Sequence, residues 1–238
     1  MQIELKDIKT FNGNDIVVAS RIGTCDTNTY HGICIGDEYG LSKICSSPIN
    51  VIDIGAYVGA FSLLCASMGA KKVIAVEILP ENVDVINQNI INNRFSNIEV
   101  INKAISDVDG KSLNIYYTPD DTENGKVHHF MGSSMVSNTS PSIVIESISL
   151  NNIISKFENI SVLKTDCEGA EWEAFPSIDR SLLNRIDYIV GEVHNHPDKN
   201  YSDFYTLFSD MFEDISEVVG GKHENFGLFC FRNRRLSA

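Results

Sequence analysis

The sequence predicts an α/β fold: a doubly wound, mainly parallel seven-stranded sheet, with an antiparallel pair at one edge and a small β-rich appendage at the N-terminus. Three observations predict it. From residue 50 onward, β-like apolar runs alternate with helical ones. Strands separated by helices pair in parallel, and right-handed crossovers cover both faces of the sheet. The first of these strands runs into a glycine turn and an apolar helix, "VIDIGAYVGAFSLLCA" at residues 51 to 66. The chain closes on "ISEVVG" and "FGLFCFR", two β-like runs with no helix between them.

In order, "IELKDIK" and "DIVVAS" are β-like and flank the turn "FNGN", so residues 1 to 45 read as short strands and turns, an appendage within the same globule. Residues 46 to 238 form the main domain. "NVIDIG" is a strand, and "GAFSLLCASMG" a helix with Gly69 as its C-cap. "KKVIAVEI" is the next strand. "PENVDVINQNIINN" is a helix started by Pro80, with Val83, Ile86 and Ile90 on one face. "NIEVINKAI" is a third strand and "SLNIYYT" a hairpin arm. Residues 118 to 142 are polar and glycine-containing, a long loop or flap. Then come strand "SIVIES", helix "LNNIISKF", strand "ISVLKTD", a short helix from "GAEWEAF", strand "RIDYIVGEVH", the amphipathic helix "YSDFYTLFSDMF" and the closing strands.

The 238 residues are 43% hydrophobic, enough for the core of one domain, and the formal net charge is −13. So acidic a surface repels phosphate backbones, which weighs against a nucleic-acid partner. The short basic cluster Arg232, Arg234 and Arg235 reads as a solvated tail. None of the six cysteines forms a C-x-x-C pair, and Cys65 and Cys230 lie in apolar runs as core residues. Zinc and a disulfide framework are not expected, and a reducing cytoplasm fits. "MQIELKDIKT" has no apolar signal region, and no apolar stretch is long enough to span a membrane.

In a doubly wound sheet, ligands bind beyond the carboxyl ends of the strands at the switch point. There Asp53 precedes "GAYVG". Gly55 permits the tight turn, Gly59 lets the helix approach, and exposed N–H groups suit an anionic group. The next strand ends at Glu77, where an acid can take both hydroxyls of a ribose. Dinucleotide sites favour G-x-G-x-x-G, whereas this turn lacks the middle glycine, and Asp53 disfavours a pyrophosphate. Asp53 could instead accept from the ammonium of S-adenosylmethionine. A plain α/β turn with no ligand is the bland alternative. The strand "ISVLKTD" brings Asp166 and then Glu168 to the same rim, and "YIVGEVH" brings Glu192 and His194. Glu171 sits in the first turn of a helix, where an acid favours the dipole, and either that or a site role accounts for it. Glu173 reads as solvated and Cys167 as a packing residue.

These stretches, "VIDIGAYVGAFSLLCA", "VEILPENVDVINQNI", "SISLNNII", "LKTDCEGAEWEAF" and "IVGEVH", resemble in order the FkbM family of S-adenosylmethionine-dependent methyltransferases. The resemblance covers roughly residues 50 to 195, and "KTDCEGAE" is its most distinctive piece. It implies the Rossmann-like fold of class I methyltransferases. Asp53, Gly55, Ala56 and Gly59 would bind the methionine part and Glu77 the ribose. Asn102, Lys103 and Ala104 would lie along the adenine edge.

Methyl transfer to a hydroxyl needs alignment, a dry site and a proton acceptor. His194 is the candidate base, with Asp166 or Glu192 to orient it, and His128 and His129 in the flap are rivals. Alternatively, Asp166, Glu168, Glu192 and His194 hold magnesium or manganese, which lowers the pKa of the acceptor hydroxyl. Nothing in the spacing demands a metal. The expected acceptor is a small molecule or glycan. The N/D-P-P-Y/F tetrapeptide common in amino-directed enzymes is replaced here by "DCEG". Nucleic-acid or protein methylation, or a binding module without catalysis, are the alternatives.

Overall fold

The computed structural model describes residues 2–116, 142–194, 196–220 and 227–237. The flap histidines His128 and His129 therefore lie outside the described residues. Strands β1 (Ile3–Lys9) and β2 (Asp15–Arg21) form an antiparallel hairpin. Ile8, Ile16 and Val18 on its inner face, together with Ala19, are buried in the same apolar cluster as Leu63, Leu64 and Val85 of the main domain. The far edge of β2 does not face solvent. The Asn89 side chain accepts from the Ala19 N–H at 2.6 Å, and Asn93 both accepts from and donates to Val17, so side-chain amides close an edge that would otherwise pair with another chain.

Residues 26 to 44 differ from the strands and turns expected of them. They form α1 (Asp26–Tyr30), a π-turn (His31–Ile35) and α2 (Leu41–Ile44). These pieces are too short to carry a legible period. Burial of Tyr30, Cys34, Tyr39 and Leu41 against the next helix holds them instead.

The main sheet contains β3 (Asn50–Ile54), β4 (Lys72–Glu77), β5 (Ile98–Asn102), β9 (Ile160–Thr165), β10 (Ile186–Val193), β11 (Phe212–Asp214) and β12 (Gly227–Asn233). Their order is β11-β12-β10-β9-β3-β4-β5. It is a mixed sheet: β12 runs antiparallel to both its neighbours, and the ladders from β10 to β5 are parallel. Alternate residues feed two cores. Val51, Val73, Val162 and Val190 face the cluster of β2 with α3 (Ala60–Ser67) and α4 (Pro80–Asn93). Ile52, Ile74, Leu163 and Ile189 face a cluster with α5 (Leu150–Ser155), α6 (Glu171–Ala174), α7 (Arg180–Leu183) and α8 (Tyr201–Thr206). Phe204, Phe208, Phe229 and Phe231 pack at that end in edge-to-face and tilted pairs.

Strand "NIEVINKAI" breaks at Lys103. Its second half, β6 (Ala104–Ser106), joins β8 (Ser142–Ser149) and β7 (Ser112–Tyr116) in a separate three-stranded sheet. The closing strands also differ from expectation. The edge strand is β11, which begins at the last residue of the stretch read as helix, and "ISEVVG" is a 3-10 turn at Ser216–Val219. Asp214 imposes this break, because its Oδ1 accepts from both the N–H and the hydroxyl of Ser216. Of the basic cluster, Arg234 and Arg235 are exposed, but Arg232 is not part of a tail. Arg232 lies in β12 and pairs with Glu213, and Arg235 pairs with Asp187. Among the described residues, no helix is long and apolar enough to cross a membrane.

Candidate functional site

The chain leaves β3 for β4 and β5 on one side and returns to β9 on the other, so the carboxyl ends of β3 and β9 part at the switch point. A cavity of about 200 Å³ opens there. Of the residues expected at the cofactor end, Gly55, Ala56, Glu77 and Lys103 line it. Gly55 is packed tightly: at φ +70°, a Cβ there would lie 1.8 Å from the Asp166 carbonyl oxygen. Gly59 serves the helix start at φ +82°, with its missing Cβ facing Ile86.

Asp53 is not on the cavity wall. It is wholly buried, accepts from the Ser62 hydroxyl at 2.7 Å and pairs with the Lys164 ammonium at 3.2 Å. Lys164 also donates to the carbonyls of Gly55 at 2.7 Å and Ile54 at 3.3 Å, fixing the glycine turn from behind, and it reaches the cavity. Burial works against the lysine charge, but Asp53 and Asp166 outweigh it and hold the pKa above its ordinary value. Of the three adenine-edge residues only Lys103 lines the cavity. Asn102 donates to the Glu77 and Ile78 carbonyls, Ala104 is buried among Ile78 and Leu79, and Ile105 forms the wall in its place.

Glu77 is buried and well supplied with donors. Its Oε2 accepts from the Tyr57 N–H at 2.8 Å, and its Oε1 from the Leu79 N–H at 2.9 Å and the Asn82 amide at 3.1 Å. Burial nonetheless pushes its pKa up.

On the opposite wall, Asp166, Glu168 and Glu192 all line the cavity. Tyr39 donates to Asp166 at 3.2 Å. Glu168 is held at φ +54°, a left-handed conformation that is costly for a side chain other than glycine and is concentrated at functional sites. Beside them, His194 turns Nε2 toward Asp166 at 3.6 Å and Glu168 at 3.5 Å, and its Nδ1 meets Glu171 at 3.0 Å. Glu171 therefore opens its helix and at the same time faces His194. It is wholly buried and accepts from the His194 N–H, the Gly169 N–H and the Cys167 thiol. Glu173 is not solvated either: it is half-buried and pairs with Lys111 at 3.3 Å.

The charges are ordered by these contacts. Burial alone would lower the His194 pKa. The bond from Glu171 and the charges of Glu171, Asp166 and Glu168 reverse that and raise it to about 9. His194 is thus a cation at neutral pH, and not the free base expected of it. Burial, and then the Asp166 and Glu192 charges, raise Glu168 to about 7 against the opposing pull of His194. Both groups hold their protons more tightly folded than unfolded, Glu168 at about 7 against 4.5 and His194 at about 9 against 6.5. A raised folded pKa contributes stability that is complete below the unfolded value and lost as pH rises through the folded one. The melting temperature should fall between pH 6.5 and 9, and His194→Gln should flatten that decline. A wild-type melting temperature that climbs across the window in scanning calorimetry contradicts these charge states.

Several cavity or support residues carried little signal in the sequence. Thr29 and Ile33, from the N-terminal segment, line the wall. Lys164 was missed, although a lysine inside an apolar central strand demands a buried partner and could have been found on that signal. Tyr57, Arg21 and Asp26 offered nothing local.

Residues 53–219 match the family described as the methyltransferase FkbM domain. The chain is 36% identical over 91 residues to the ribosomal protein L11 methyltransferase of Clostridium perfringens strain SM101, a match covering 38% of this chain but only 28% of that relative's length. Among solved structures, it resembles a methyltransferase FkbM from Methylobacillus flagellatus at 15% identity and TM-score 0.49, over 79% of this chain and 44% of that one. It also resembles the precorrin-6y C5,15-methyltransferase of Geobacter metallireducens at 12% identity and TM-score 0.43, over 81% and 84% of the two chains. With the match running through both walls of the cavity, the chain belongs to the FkbM methyltransferase domain family.

Proposed function

We propose that the protein is an S-adenosylmethionine-dependent methyltransferase acting on a hydroxyl of a small molecule or glycan. One observation carries this reading. A single cavity holds a glycine turn and a buried carboxylate on one wall and three carboxylates on the other. The residues fit the cofactor. Glu77 uses three of the roughly four acceptor positions of a carboxylate on its own chain, which leaves one, on Oε2, for a ribose hydroxyl. Lys164, rather than Asp53, is the charged group that reaches the cavity behind the glycine turn, and it suits the carboxylate of the amino acid end.

When bound, S-adenosylmethionine supplies an already activated methyl group. The chain's own residues then align the acceptor, exclude water and take its proton. Glu168 fills the last role, because its protonation changes near neutrality. The His194 cation holds a fixed charge beside it. The net charge of −13 favours an uncharged or cationic small acceptor over a nucleic acid.

A second reading has one observation in its favour. Ligand atoms of Asp166, Glu192 and His194 lie within 4.8 Å of one another, a spacing that suits magnesium or manganese.

Isothermal calorimetry tests the main reading. S-adenosylhomocysteine should bind the wild type, and Glu77→Ala should weaken it by about 1.5–3 kcal/mol, the value of hydrogen bonds to a charged group. Absence of binding, or undiminished binding in a folded Glu77→Ala, defeats it.

A further inference from the structure

The N-terminal hairpin carries a buried ion pair that the cavity reading leaves unused. Arg21 and Asp26 are 3% and 0% exposed. The guanidinium grips the carboxylate with two bonds, Nε to Oδ2 and Nη2 to Oδ1, each at 2.8 Å, and the Arg21 backbone N–H adds a third at 2.9 Å. Two arms lead from this pair to Glu77. Along the first, Arg21 Nη1 donates to Asn82 Oδ1 at 2.9 Å, and Asn82 Nδ2 donates to Glu77 Oε1 at 3.1 Å. Along the second, the Tyr57 hydroxyl donates to Asp26 Oδ1 at 2.7 Å, and the Tyr57 backbone N–H donates to Glu77 Oε2 at 2.8 Å.

Each arm fixes something that would otherwise be free. An amide side chain can present either its oxygen or its NH₂ to a neighbour. Arginine only donates, so Arg21 must meet Oδ1 and Asn82 must turn its NH₂ to the carboxylate. Tyr57 sits at φ +52°, a conformation a tyrosine adopts only when its surroundings impose it. Asp26 holds its hydroxyl, and the Arg21 guanidinium lies 5.3 Å from its ring centroid. That twisted backbone aims its N–H at Glu77. The arms end on different oxygens and, with the Leu79 N–H on Oε1 at 2.9 Å, set the plane of the carboxylate and the direction of its remaining lone pair.

We infer that Arg21 and Asp26, which precede the family-matched segment, are positioning residues that orient Glu77 toward the ribose of the nucleoside cofactor through Asn82 and Tyr57. The inference rests on the reading of Glu77 as the ribose acceptor.

The test compares two ligands by calorimetry, S-adenosylhomocysteine and its 2′,3′-dideoxyribose analogue. Wild type should prefer the hydroxylated ligand by about tenfold or more. Arg21→Lys keeps the charge beside Asp26 but lacks the planar fork that grips both Asp26 oxygens while a third nitrogen meets Asn82. It should weaken S-adenosylhomocysteine about tenfold and leave the analogue within about threefold, so that the preference collapses. Should Arg21→Lys fail to fold, the double variant Arg21→Met with Asp26→Leu removes the pair without leaving a lone buried charge, and the same collapse is expected. A folded variant that keeps the wild-type preference, or weakens both ligands equally, overturns the inference and leaves the pair a purely structural weld. A wild type with no preference instead overturns the ribose role of Glu77 itself.

Discussion

Replacing Glu168 with glutamine should lower turnover by about 10²-fold or more, while S-adenosylhomocysteine affinity stays within a few fold and the fold persists. Glutamine keeps the shape of the side chain at the strained φ of +54° but cannot take a proton. Burial gives Glu168 the acid–base range a catalyst needs at neutral pH. The measurement is release of S-adenosylhomocysteine against an acceptor found by product analysis. His194→Gln completes the test. Removing the cation 3.5 Å away should raise the Glu168 pKa further and move the acid limb of the rate profile to higher pH. Glu168→Gln at the native rate would exclude it as the proton acceptor. EDTA separates the second reading: activity lost and then restored by magnesium or manganese assigns the rim to a metal, and unchanged activity assigns it to the Glu168 base.

Gly55→Ala should be strongly damaging to the ligand-binding half of the molecule. Its Cβ would stand 1.8 Å from the Asp166 carbonyl oxygen, a backbone atom on the neighbouring strand end, and no rotamer change relieves that. The turn or the strand end must move, and the cavity lies between them. A loss on the order of 4 kcal/mol is expected, which for a chain of this size is a fall in melting temperature on the order of 10 °C. Gly69→Ala is the control. It shares the positive φ, at +91°, but has nothing within 4 Å, so it should cost only the strain of about 1–2 kcal/mol. If Gly55→Ala melts no lower than Gly69→Ala and binds S-adenosylhomocysteine normally, the close approach of the two strand ends does not shape the site.

The alternation of strand and helix from residue 50 onward was legible, because periods of two and of 3.6 residues are local properties of the chain. So were the glycine turn, the acids at the strand ends Glu77 and Asp166, and the family to which they belong. The failures share a cause. The pieces between Asp26 and Ile44 and the 3-10 turn at Ser216–Val219 are too short to show a period. They are held by burial of single side chains or by one Asp–Ser contact.

At the site, the sequence determined which ionisable groups reach the sheet's carboxyl edge, since strand ends follow from pattern. The tertiary structure decided what each group does there. It turned Asp53 inward to Lys164, 111 residues away, and used Glu171 to make His194 a cation rather than a base. It also recruited Arg21 and Asp26 behind Glu77. Charge state depends on burial and on neighbours within a few ångströms, and those neighbours come from distant parts of the chain that no local pattern relates.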